Sequence, residues 1–97
     1  MTLEDFKASL DQDAPPADLA PALRALWCQA KGDWARAHKI VQGESDPASQ
    51  WVHAHLHRAE GDQANAAYWY RRVAKAPSQA PLGEEWADIA GALLAAG

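Results

Sequence analysis

The chain has 97 residues, 48% of them hydrophobic, with five tryptophans and a formal charge of −4; this predicts one small domain whose thin core leans on aromatic area. The negative balance leaves no basic stripe for neutralising phosphates, and no apolar run approaches the roughly 20 residues of a membrane span, so neither nucleic acid nor membrane is an expected partner. Met1-Thr2-Leu3-Glu4-Asp5-Phe6 lacks the basic start and apolar stretch of a secretory signal, and the lone Cys28 fits a reducing compartment, so a cytoplasmic location is expected.

Thr2 and Asp5, three apart before Phe6 and Leu10, have the pattern of a capping box opening a short first helix, which Asp11 to Pro16 then stops. From about Ala17 to Ala30, Leu19, Leu23, Leu26, Trp27 and Ala30 recur at helical spacing, with Pro21 tolerated in the opening turns. Gly32-Asp33 ends that helix and caps the next, whose Trp34, Ala37, His38 and Val41 share a face until Gly43 closes it. Asp46-Pro47 restarts the chain as N-cap and first helical residue. Gly61-Asp62 repeats the turn, and the fourth helix carries Ala66, Trp69, Tyr70 and Val73 on one side. Pro77 and Pro81 bracket a loop. A last helix from about Gly83 presents Trp86, Ile89, Ala90 and Leu93, with Glu84 and Glu85 placed for its N-terminal dipole.

One fragment occurs twice, twenty-nine residues apart: Ala30-Lys31-Gly32-Asp33-Trp34-Ala35-Arg36-Ala37 and Ala59-Glu60-Gly61-Asp62-Gln63-Ala64-Asn65-Ala66. Ala25 and Ala54 extend the match upstream. A Gly-Asp turn followed by Ala at close helix contacts resembles the tetratricopeptide repeat over residues 17 to 76, although the period is shorter than that family's 34 or so residues. The bulky residues that family carries early in its first helix are displaced or replaced by Arg24 and His53. The stretch from Trp51 to Arg72 is also similar to one in short bacterial proteins of unassigned function. The resemblance implies an all-α, right-handed stack of antiparallel helix pairs. Repeat one would be 17–43 and repeat two 46–76, with helix 83–96 capping the stack by laying Trp86, Ile89 and Leu93 over the second repeat. Residues 1–16 would form an N-terminal helix and Pro-containing linker ahead of the single domain 17–97.

Candidate functional residues concentrate on the third long helix. His53, His57 and Glu60 fall within about 60° of one another at 100° per residue, forming a polar ridge that either packs structurally or chelates a divalent metal. A zinc-protease mechanism is excluded, because Ala54 stands where that pattern needs Glu. Trp51, His55 and Arg58 form a second stripe on roughly the opposite side. The tetratricopeptide resemblance implies that this stripe faces a groove for a partner peptide, and Trp and Arg are residue types favoured in interfaces. Asn65, Tyr68 and Arg72 make a third polar face suited to an acidic segment or small anion. Cys28, among apolar neighbours, reads as a buried hydrophobe rather than a nucleophile. No glycine-rich phosphate loop, nucleophile elbow or paired-cysteine knuckle is present. The expected function is a non-catalytic interaction module for a protein or peptide, or for a second copy of the chain, without a cofactor; the alternative is a ligand- or metal-binding protein using His53, His57 and Glu60.

Overall fold

In the computed structural model, which describes residues 1–96, the chain forms six α-helices: α1 (Leu3–Ala8), α2 (Pro21–Ala30), α3 (Trp34–Gln42), α4 (Pro47–Ala59), α5 (Gln63–Arg72) and α6 (Leu82–Ala96). A single 3-10 turn, Ser9–Asp11, follows α1. The described residues contain no strand. α1 opens on the expected capping box, with Thr2 Oγ1 accepting from Asp5 N and Asp5 accepting from Thr2 N. α2 starts later than the apolar spacing suggests. Asp18 has φ of 65° and Ala20 is extended, as a residue preceding proline prefers, so the helix begins at Pro21.

Both Gly-Asp turns have one geometry. Gly32 and Gly61 have φ of 87° and 89°, and their N–H groups bond to Gln29 O and Arg58 O. The following Asp33 and Asp62 N–H groups reach Cys28 O and His57 O, which completes a Schellman closure of α2 and α4. Each Asp side chain then caps the next helix, accepting from Arg36 N and Asn65 N at 3.1 Å. α5 ends in the same closure, Ala74 N to Arg71 O and Lys75 N to Tyr70 O, but with Ala74 at φ 56° in the glycine position.

α2 packs on α3, α3 on α4, and α4 on α5. Ala25, Ala37, Ala54 and Ala66, the small residues of the duplicated pattern, are all fully buried or nearly so. The main core joins Phe6, Leu23, Leu26, Val41, Val52, Leu56 and Ile89. Phe6 is completely buried within it, so the N-terminal helix belongs to the same body as the residues after 17. A smaller cluster of Ala54, Ala66 and Tyr70 is flanked by Trp51 and Trp69.

The last helix reaches further than a cap on the second pair alone. It packs on α4 of the second pair, as expected, but also on α1 and α2, so it spans both pairs. Trp86 stacks on Phe6 at 5.6 Å and donates its indole N–H to Leu26 O at 2.9 Å, while Ile89 and Ala90 enter the main core. The face made jointly by α2 and α4 is thereby covered from within the chain.

The left-handed helix ends provide paired stability tests. An added Cβ at Gly61 meets no atom within 4 Å, so Gly61→Ala carries only backbone strain. It is expected to destabilise by about 1 kcal/mol and lower Tm by about 4–8 °C. Ala74→Gly should relieve the same strain and raise Tm by a few degrees, offset partly by the added freedom of the unfolded chain. Thermal melts followed by circular dichroism check both signs.

Candidate metal centre

α4 carries histidines at 53, 55 and 57, and helical geometry sends the middle one away from the other two. His53 and His57 point toward α3 and α5, where His38 of α3 joins them. One nitrogen from each of His38, His53 and His57 lies within 4.8 Å of the others. His38 Nε2 and His53 Nε2 are 3.1 Å apart, close to the separation of about 3.3 Å that two imidazoles adopt on a tetrahedral zinc. The three ring centroids form a near-equilateral triangle with sides of 4.8 to 5.1 Å.

Two indoles hold the rings in place. Trp34 stacks flat on His38 at 4.9 Å, and Trp69 stacks on His53 at 4.0 Å. Trp34 is itself fixed by its N–H bond to Leu56 O at 2.8 Å. His57 Nδ1 lies 2.7 Å from Glu60 Oε2. When His57 donates that hydrogen, Nε2 keeps its lone pair, an arrangement that orients metal-binding histidines from outside the coordination sphere. His53 Nδ1 is buried with no hydrogen-bond partner among the described residues. A metal ligand must be unprotonated, and the environment favours that form. Burial first, then the His57 and His38 charges, pushes His53 down to about 4. Burial and the His57 charge also lower His38, against a smaller opposing pull from Glu60.

The expected ridge of His53, His57 and Glu60 is therefore rearranged. His53 and His57 meet as anticipated, but Glu60 supports His57 while His38 takes the third place. His38 was legible only as a residue on the buried face of α3 beside Trp34. No local spacing links it to His53, fifteen residues on; the packing of α3 on α4 brings them together. His57, Glu60 and Asp62 also converge within 4.8 Å, yet Asp62 is engaged in capping α5.

The groove-facing stripe is not open. His55 is fully buried, with Nδ1 2.6 Å from Glu85 Oε1, and Arg58 Nη1 donates to the same oxygen at 3.0 Å. Tyr70 OH donates to the other carboxylate oxygen, and Arg58 Nη2 donates to Ala80 O. Trp51 is half-buried beneath the Lys75 ammonium, 4.1 Å from its ring centre. Burial alone would raise the Glu85 carboxyl, but bonds from His55 and Tyr70, the His55 charge and Arg58 together hold it below its usual range. Tyr70 is pushed up, by burial first and then by its bond to that carboxylate. Sequence reasoning gave Glu85 only a dipole role. Its three partners lie fifteen to thirty residues away.

The third candidate face stays at the surface of α5. Arg72 donates to Tyr68 OH at 3.1 Å and lies 5.3 Å over the Trp69 ring. Asn65 holds Asp62. Cys28 is buried and its thiol is raised, chiefly by burial, which suits a packing role. Comparison with protein-family models, curated proteins and solved structures finds no match.

The histidine cluster sets an acid limit on stability. His53 titrates near 4 when folded and near 6.5 when unfolded, so the unfolded chain binds more protons between those values and stability falls as pH drops through that window. Glu85, depressed from 4.5, adds a further loss at lower pH. Tm measured from pH 7 to pH 4 should fall more steeply for the wild type than for His53→Gln, which lacks the depressed imidazole.

Proposed function

We propose that the protein binds a single zinc-class divalent metal through His38, His53 and His57, with Glu60 orienting His57, and that this role is non-catalytic. The observation that carries the reading is the convergence of three imidazoles, two of them held in the neutral form, around a spacing that matches a tetrahedral metal. The Glu60 carboxylate at His57 Nδ1 supports it, because it leaves Nε2 of that ring free to bind. Two tetratricopeptide-like pairs, α2 with α3 and α4 with α5, would provide the frame, and the metal would join the second helix of one to the first helix of the next. The peptide-groove reading is less favoured, since His55 and Arg58 are engaged by Glu85. A protein partner is a second reading only for the α5 surface, where Tyr68 is 44% exposed beside Arg72.

Zinc titration against a chromophoric chelator should give one equivalent. His38→Ala and His53→Ala should each weaken binding more than tenfold, and Glu60→Gln by about tenfold. Zinc at about 100 times Kd should add about 2.7 kcal/mol and raise Tm by roughly 10 °C or more. Equal zinc affinity in the wild type and in the His38→Ala/His53→Ala double variant would rule the site out.

A further inference from the structure

A separate cavity of about 470 Å³ opens on the other side of α4, lined by Lys7, Leu10, Gln29, His55, Gly83 and Trp86 among others. It lies where the ends of α1 and α2 meet the start of α6. Its volume falls within the range of small-molecule sites, and its walls are almost wholly apolar. We propose that this cavity binds a small aromatic monocarboxylate, with the ring against Trp86 and the carboxylate at Lys7.

The walls are preformed. Trp86 is locked by its N–H bond to Leu26 O and by stacking on Phe6, so it offers a rigid plate that needs no ordering when a flat ligand arrives. The polar groups at the floor are engaged with one another. His55 Nδ1 is engaged by Glu85, and Gln29 Nε2 is 3.0 Å from His55 Nε2. That contact ties the Gln29 amide and the His55 ring to each other, inside the protein. The exposed Lys7 supplies the charge in an otherwise apolar lining, so the carboxylate stays at the rim and the apolar end points inward. At the rim, Lys31 is held by Leu10 O and Gln12 O, whereas Lys7 makes no ion pair among the described residues. Among the described residues, Lys7 is the only Lys, Arg, Asp or Glu lining the cavity, and its ammonium supplies the complementary charge.

The test uses naphthalene-1-acetate and its uncharged analogue naphthalene-1-acetamide, followed by amide and indole N–H shifts in the full chain. The acid should shift Gly83 and the Trp86 indole saturably and bind about three- to fivefold more tightly than the amide, a difference that Lys7→Met removes. An added Cβ at Gly83 meets nothing within 4 Å, so Gly83→Leu should keep its Tm and weaken the acid about tenfold or more by narrowing the cavity. Equal binding of acid and amide by the wild type, shifts centred elsewhere, or no shift at about 1 mM ligand would overturn the proposal. So would shifts of these residues on changing protein concentration alone, which would make the face a contact between copies.

Discussion

The fold depends on a carboxylate that has left water. Glu85 is 4% exposed, and an isolated charge so placed costs several kcal/mol. That cost is offset only when α6 sits where His55 and Arg58 of α4 and Tyr70 of α5 all reach it. Sliding α6 by one residue would turn Glu85 about 100° away and strand both it and Arg58. Because Glu85 fixes the register, Trp86 arrives at Leu26 and Phe6, and α1 is drawn into the core. Arg58 also holds Ala80 O, so the same guanidinium anchors the loop that delivers α6.

The two halves of the molecule show what this constraint replaced. With a twenty-nine-residue offset, Arg24, Leu26 and Cys28 of the first half correspond to His53, His55 and His57 of the second. Leu26 and His55 are both fully buried. One is buried by simple apolar transfer; the other needs Glu85 and Gln29 to satisfy its two nitrogens. The shared frame therefore tolerates a polar residue at a core position only because a helix outside the repeated pattern brings the matching acid.

This division also decides how much was readable in the sequence. The capping box at Thr2, both Gly-Asp closures and the Asp46-Pro47 start are local: their donors and acceptors lie within five residues, and residue type fixes them. The start of α2 lay beyond the apolar periodicity because Leu19 has helical spacing while its neighbours Asp18 and Ala20 do not have helical backbone. The docking of α6 was less legible still. Glu85 reads equally well as an ordinary first-turn acid, and nothing local distinguishes it from exposed Glu84. At the candidate metal centre, His53 and His57 followed from the helix period, whereas His38 depended on which face of α3 meets α4.

The contrast between the polar groups on the two sides of α4 separates structural burial from burial that calls for something further. Around Glu85, opposite charges pair and both carboxylate oxygens receive donors. Around His53, three like groups face one another, so protonating one opposes protonating the next; His53 Nε2 meets His38 Nε2, while Nδ1 has no partner among the described residues. Apolar side chains at these positions would pack between Trp34 and Trp69 without desolvating any ring nitrogen. Three imidazoles held together this way recover part of that desolvation cost through the His38–His53 and His57–Glu60 contacts and the two stacked indoles. The mutual repulsion that disfavours protons on them also keeps the rings neutral, the form that a cation would need.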